Sequence, residues 1–471
     1  MENLKDFSNE LQIINDLDEV ISKPISVFVK EKFISRGVLF RDDRKSFLKL
    51  PVCLAEDCLE NVTIKTEKGD HILTTVDIKT RSGKYREESI LSDFVYSMRY
   101  LKNNMFAFDF VSKFRCFIPT DLSKLNTFRF QLETIGYCDS TAEYGFQCVR
   151  INIVGIQFDI LQVKSGQHGY YVIDSFQSMS FGVFADYCYA IQQAIGFVMG
   201  YMPGNEIYYF ADNYDFYYTS NIRPAMSSLH YPIHTNPYHF GHIEKTSAEN
   251  YWGKLDVLPI KDFSKLVSLI YSDERFSSVI VMMIESESAR SLLLIPSIYA
   301  IILETLSKII CISDIEEKRP IRSKDLFRKI SNGIYRVINS YSEKFEPDDD
   351  VIKLKRRVPE LNKIVKQDSL TNNEKLILPF EQLGIELSVD DINIIRHRND
   401  LLHGNTYLID NSRKELFDIN NYMMYVSEKL YTLVSSLILK YIGYTGYIIN
   451  YAKAYEKECN IITNEDYYKF I

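Results

Sequence analysis

The segment Ile395-Arg396-His397-Arg398-Asn399-Asp400-Leu401-Leu402-His403-Gly404 gathers guanidinium, amide and imidazole groups in a short stretch. That combination suits cleavage of RNA without a metal. The ribose 2'-OH attacks the adjacent phosphorus, a 2'-O–P bond forms, and the bond to the 5'-oxygen breaks. The step needs a general base, a general acid for the departing 5'-oxygen, and positive charge or donors on the phosphoryl oxygens. Histidine titrates near ~6.5 and can give or take a proton at neutral pH. Arginine stays charged and offers a fork of donors to phosphate. The residues read for catalysis are therefore Arg398, Asn399 and His403, with Asn399 orienting the imidazole or binding a phosphoryl oxygen.

Spacing constrains how they meet. Ser388-Val389-Asp390-Asp391 reads as a helix start, with Ser388 capping free amides and Asp391 in the first turn. Ile392, Ile395 and Leu402 mark one apolar face, and Gly404-Asn405 a terminus. In one helix over 388–403, Asn399 and His403 share a face. Arg398 and His403 stand ~140° apart around the axis and ~7.5 Å along it, so they cannot pair tightly. They converge on one phosphate only with long reach, or a second copy of the helix completes the site, which favours a dimer. Arginine followed by histidine at similar spacing recurs at Arg223–His230 and Arg396–His403. In the plainer reading, Arg398 is a surface or salt-bridging residue and His403 is favoured by the helix dipole.

The string resembles the signature of the HEPN superfamily: arginine, a polar residue, then a short spacer to histidine, often followed by glycine. Arg398, Asn399 and His403 match it, although Arg396, His397 and Arg398 crowd the motif and leave Arg396 as an alternative arginine. The whole chain resembles ApeA-type abortive-infection proteins, on Ala185–Tyr201 (ADYCYAIQQAIGFVMGY) and Ile442–Ile449 (IGYTGYII) as well as the motif. The resemblance implies a helical bundle that dimerises. It further implies a metal-independent endoribonuclease of bacterial anti-phage defence, with transfer RNA among its possible substrates. It also implies an N-terminal domain that restrains the nuclease or senses a phage-derived trigger. A non-catalytic HEPN-like module for RNA binding or protein docking is the rival reading.

The elements that must position these residues fall into two halves, an α+β arrangement. Residues 1–252 read as a β-rich domain, a sandwich or a strongly curved antiparallel sheet. Short strand-like runs extend from Pro24–Phe40 to Tyr170–Ile173, with a helix over about 181–200 where apolar residues recur at three- and four-residue steps. The aromatic stretch from Tyr208 to about Tyr251 reads as loop. Residues 253–471 read as helical, with candidates at Asp262–Tyr271, Arg275–Glu285, Ala289–Ser313, Asp325–Ser342, Leu361–Val365, Ser388–His403 and Arg413–Tyr441. Ala289–Ser313 is expected to be central once past Pro296, which kinks it or starts it afresh. Glu346–Asp350 reads as a loop tip.

Basic runs at Lys353, Lys355, Arg356 and Arg357, and at Lys318, Arg319, Arg322, Lys324, Arg328 and Lys329, can contact RNA phosphates or be solvated helix surface. Arg396 and His397 are further candidates for RNA contact. His230, His234, His239 and His242 form the densest histidine cluster, but their spacing matches no familiar zinc signature and Pro232 and Pro237 suggest a loop. A surface loop whose Asn, Tyr and His side chains recognise something else, or nothing, is the better reading. Glu285, Glu287 and Arg290 read as capping or surface groups, or as support for the site. No Walker A, dinucleotide, HExxH or GxSxG string is present. No metal or cofactor is expected.

Composition sets the remaining bounds. The 471 residues carry a net charge of -8, so total charge does not drive polyanion binding and any RNA site must be a local basic cleft. Eight dispersed cysteines without a CxxC pair suggest buried thiols in a reducing, cytoplasmic setting. No signal peptide or apolar run of the ~20 residues a membrane span needs is expected.

Overall fold

The computed structural model describes residues 6–20, 23–42, 45–54, 59, 62–65, 71–74, 76–81, 94–103, 106–125, 128–130, 144–220, 222–240, 243, 245–286, 289, 291–292, 294–311, 321, 323–342, 349–362, 372–396 and 416–471. A β-rich first half is followed by a largely helical region, an α+β architecture. Helix α1 (Ser8–Val20) precedes eight strands: β1 (Pro24–Val29), β2 (Lys32–Asp42), β3 (Lys45–Leu50), β4 (Val62–Lys65), β5 (His71–Thr74), β6 (Val76–Arg81), β7 (Phe94–Met98) and β8 (Leu101–Asn103). Then come β9 (Val111–Ser112), β10 (Phe114–Thr120), β11 (Tyr144–Ile153), β12 (Ile156–Ser165), β13 (His168–Ser175) and β14 (Met179–Ser180). Helix α2 (Phe181–Met199) leads to β15 (Tyr201–Met202), β16 (Ile207–Ala211), β17 (Phe216–Thr219) and β18 (Met226–Ser227). Among the described residues, 14 strands make one sheet in the order β11-β12-β13-β10-β16-β17-β8-β5-β4-β1-β2-β3-β7-β6.

The middle of this sheet is covered on both faces, which is why its strands read as almost unbroken apolar runs. Cys116, Ile118, Ile160, Tyr171, Ile173 and Tyr209 point into the core that holds α2. Their neighbours Phe117, Leu161, Tyr170, Val172, Tyr208 and Phe210 point into a second core with α1 and the early strands. The alternation is the period-2 rule of a pleated strand. It also corrects the expectation of a loop beginning at Tyr208: β16 and β17 are interior strands whose aromatic residues fill both cores. Helix α1, not foreseen in the sequence, buries Leu11, Ile14 and Leu17, with Phe7 just ahead of it. Each fully buried side chain contributes ~1.5–3 kcal/mol. Arg115 on β10 pins it by pairing with Glu10 and with Asp174 at 3.2 Å, its guanidinium 4.6 Å from the Phe7 ring centre.

Helix α2 ends as its sequence suggests. Gly200 takes φ 72°, and its amide donates to Gly196 O at 3.0 Å. Beyond it lie α3 (Lys245–Glu249), α4 (Ile260–Ser272), α5 (Glu274–Ser286), α6 (Leu294–Ile310), α7 (Lys324–Ser340), α8 (Asp349–Arg357), α9 (Asn372–Leu383), α10 (Val389–Arg396) and α11 (Leu416–Ile442). A hairpin of β19 (Tyr447–Ile449) and β20 (Tyr468–Phe470) brackets the short helices α12 (Tyr451–Ala454) and α13 (Glu456–Cys459). Pro296 lies in the first turn of α6, as a fresh start requires. Past Pro296, α6 packs against α5, α9 and α11, and the more deeply buried helix is α11. Leu430, Leu433, Val434, Leu437, Ile438 and Leu439 are buried around it, and so are Ser427, Thr432 and Ser436, while α6 leaves Ile301 exposed. Two of the buried hydroxyls of α11 are satisfied within the helix: Ser427 Oγ donates to Met423 O at 2.8 Å, and Ser436 Oγ to Thr432 O at 2.7 Å. Asp349–Arg357 is helical, so the acidic run ends in α8 rather than wholly in a loop tip.

The change from strand to helix near residue 252 is not a break in packing. The core that holds α2 continues through α4, α5, α6 and α11. Phe130 stacks on Phe263 with centroids 4.1 Å apart, and Tyr187 stacks on Tyr271 at 4.0 Å.

Candidate functional site

Helix α10 delivers the chain to residue 397, and α11 receives it at Leu416. Residues 397–415, and with them His397, Arg398, Asn399 and His403, lie outside the described residues. What the structure describes is the frame that holds both ends of this segment.

The start of α10 is a reciprocal cap. Ser388 Oγ accepts from the Asp391 amide at 3.0 Å, and Asp391 Oδ2 accepts from the Ser388 amide at 2.9 Å. The arrangement is a capping box with aspartate in the place of glutamate. Ile394 and Ile395 are buried and fix the helix face, while Arg396, the last residue of α10, is exposed.

Asp391 does more than cap. Lys429 on α11 reaches its Oδ1 at 2.9 Å, and Lys469 on β20 reaches its Oδ2 at 3.1 Å. Lys429 also pairs with Glu465, which accepts from Asn450 Nδ2 at 2.8 Å and from Ser388 Oγ at 3.2 Å. Two carboxylates and two ammoniums thus form one chain of contacts joining α10, α11 and the terminal hairpin. Burial works against the Asp391 charge, but Lys469 and Lys429 prevail and hold its carboxyl below the ordinary value. Burial likewise opposes the Lys429 charge, and Asp391 and Glu465 overcome it and raise the amine. A second tie lies one residue back, where Tyr425 on α11 donates to Asp390. Burial first, and the Asp390 contact second, push that phenol well up. A cleft of about 650 Å³, lined in part by Glu386, Ser388, Asp391, Asn450 and Lys469, opens beside the network.

The cap was legible in sequence from Ser388 and Asp391. The partners Lys429, Glu465 and Lys469 were not, because nothing local in a chain marks a lysine for burial beside a carboxylate far along it.

The other candidates resolve individually. Arg356 and Arg357 on α8 are exposed, Lys355 is half-buried, and Lys353 pairs with Asp350 at 3.1 Å. Lys324, Arg328 and Lys329 are exposed on α7. Lys318, Arg319, Arg322, Glu287 and Arg290 lie outside the described residues, as does His242. Glu285 pairs with Arg223. His230, the histidine of the competing Arg223–His230 spacing, is buried with its Nε2 2.7 Å from Glu428 Oε2 on α11 and its ring against Tyr451 at 4.3 Å. That pairing accounts for His230 as a buried, partnered side chain. Among the described residues, no group of three or more His, Cys, Asp and Glu is placed to hold a metal ion. No described helix is long and apolar enough to cross a membrane.

No family model, curated protein or solved structure matches the chain.

Proposed function

We propose that the protein is a metal-independent endoribonuclease of the HEPN type, similar in plan to ApeA-type abortive-infection proteins of bacterial anti-phage defence. The observation that carries the reading is the string Arg398-Asn399-Asp400-Leu401-Leu402-His403, which directly follows α10, a helix capped and ion-paired to its neighbours. A catalytic side chain must be held within a fraction of an ångström of its productive position, and a fixed helix upstream supplies that restraint. In this reading Arg398 binds the scissile phosphate, His403 transfers the proton, and Asn399 orients the imidazole or a phosphoryl oxygen. Two copies of the chain, associated through the helical region, bring two motifs to one cleft and divide the acid and base duties. Arg396, His397, Lys353, Lys355, Arg356 and Arg357 bind backbone phosphates beside it, which lets a chain of net charge -8 hold RNA locally. The β-rich half restrains the nuclease until a phage-derived trigger binds.

The chemistry makes a specific demand on the products. Attack by the 2'-OH leaves a 2',3'-cyclic phosphate on one fragment and a 5'-hydroxyl on the other, with no divalent ion consumed. Incubating the protein with total cellular RNA or transfer RNA in excess chelator, then determining the fragment ends, tests it. Cyclic phosphate and 5'-hydroxyl ends are expected. Fragments bearing 5'-phosphate and 3'-hydroxyl ends, or cleavage that stops on chelation, contradict the mechanism.

A further inference from the structure

A second group of chemically able side chains lies where the β-rich half meets the C-terminal helices. Arg129, half-buried, lays its guanidinium 3.3 Å from the centre of the Tyr231 ring and donates from Nη1 to Met199 O at 3.0 Å. The electrostatic neighbours of this cation are tyrosines, and among the described residues no carboxylate pairs with it. Beside it, Tyr231 Oη is 2.5 Å from His239 Nε2, and the His239 ring stacks on His234 at 4.0 Å and 24°. His234 Nδ1 accepts from the Asn236 amide at 2.9 Å, which leaves Nε2 as the N–H of its neutral ring. Among the described residues, one permanent cation and two protonatable rings are therefore packed together without an acid. Burial, His239 and Arg129 hold His234 down at about 4, and burial and Arg129 depress His239 as well.

The loop is firmly held. Tyr451 Oη accepts from the Tyr231 amide at 2.9 Å and donates to Tyr231 O at 2.9 Å, and the Ile449 amide donates to Pro232 O at 2.9 Å. A guanidinium fixed beside two imidazoles, with no carboxylate partner among the described residues, sustains a cost that an anion removes. A metal cation would add to the repulsion from Arg129. A phosphate, by contrast, offers several acceptor oxygens to the guanidinium and to imidazole N–H groups. The rim supplies a second feature. Tyr238, adjoining His239, and Trp252 are 40% and 68% exposed with ring centroids 6.1 Å apart. Exposed aromatic faces next to a phosphate site suit a stacked base.

We propose that Arg129, His234 and His239 bind the phosphate of a nucleotide whose base stacks on Tyr238 or Trp252. This assignment is independent of the nuclease reading, because it uses no residue of the motif. Occupancy would be felt in the helical region, since the same loop carries His230, which meets Glu428 on α11.

Calorimetric titration of the full chain at neutral pH with adenosine monophosphate, inorganic phosphate and adenosine tests the proposal. The monophosphate is expected to bind more tightly than phosphate alone, and adenosine not measurably. Arg129→Gln should weaken the monophosphate about tenfold or more, the usual effect of deleting a hydrogen bond to a charged group. His239→Ala, at an exposed position, should weaken it too, and Trp252→Ala should weaken the monophosphate but not phosphate. No binding of either phosphate ligand to wild type, or equal binding by wild type and His239→Ala with unchanged melting, overturns the site. Phosphate binding as tight as the monophosphate overturns the assignment to a nucleotide.

Discussion

Among single residues, stability and chemistry follow from which charges are paired and which are not. Lys429 is 2% exposed and held by Asp391 and Glu465, and Asp391 also holds Lys469 and caps α10, so removing Asp391 takes one carboxylate from a buried amine, the carboxylate from Lys469 and the cap from the helix. Asp391→Ala is therefore expected to cost ~3–5 kcal/mol, the range for breaking a buried pair, read by denaturant unfolding. A loss under 1 kcal/mol would mean that Lys429 finds solvent or another partner. Asp391 and His234 act in different acid windows. The folded value of Asp391 lies below its unfolded value near ~3.9, so its stabilisation is present above about pH 4 and is lost as pH falls further. His234, held at about 4 against ~6.5 unfolded, contributes nothing adverse at pH 7, when both states are neutral. As pH falls from about 6.5 to about 4, the unfolded chain takes up the proton first and stability drops. After discounting for solvent screening the drop is on the order of 1–2 kcal/mol. His234→Gln should reduce the slope of stability across that window, leaving the part due to His239, and an unchanged slope would place the His234 pKa near its ordinary value. Of this chemistry, the sequence displayed the cap of α10 and the histidine cluster. It did not display that Arg129, a hundred residues upstream, stacks on the histidine loop, because residue type carries no signal for a tertiary cation–ring contact.

At the scale of elements, strands with turn chemistry and helices with clear periodicity were legible, and their limits were not. Residues 208–219 read as loop because Tyr and Phe alternate with each other rather than with polar residues. That is what a strand between two cores looks like. The β11–β12 hairpin shows another hidden signal. Its turn places Val154 at φ 51° and Gly155 at φ 84°, with Asn152 Oδ1 accepting from the Gly155 amide at 2.8 Å. Positive φ at both positions favours Asn-Gly, and a β-branched residue there is strained by roughly 1–2 kcal/mol. Val154 is 69% exposed, so Val154→Asn relieves the strain without opening the core. It is expected to stabilise the protein by about 1 kcal/mol, seen as a raised melting temperature. A neutral or destabilising result would show that the turn relaxes without help.

At the scale of the whole molecule, the α+β division was legible from the switch in hydrophobic period, but the continuity of packing across it was not. The sheet face that covers α2 and the helices α4, α5, α6 and α11 share one core, with Phe130 and Phe263 stacked across the change of element type. A fragment beginning at residue 253 should therefore expose a broad apolar face. It is expected to lose near-ultraviolet circular dichroism and to bind a hydrophobic dye, as expanded states do. Cooperative unfolding of the fragment at the melting temperature of the full chain would show instead that the helical region is self-sufficient. Shared packing also gives the β-rich half a physical route to the motif: β11 and α2 meet α4, and α11 leads back to residue 415.

The central claim is that Arg398 and His403 cleave RNA, and the most direct measurement compares wild type, Arg398→Ala and His403→Ala on total cellular RNA with chelator present. Cleavage by wild type is expected, with losses of about 10²–10⁴-fold in His403→Ala, the usual contribution of a proton-transfer group, and about 10²–10³-fold in Arg398→Ala, that of a group stabilising developing charge, with melting temperatures unchanged. Equal cleavage by all three proteins would contradict it and move the chemistry elsewhere.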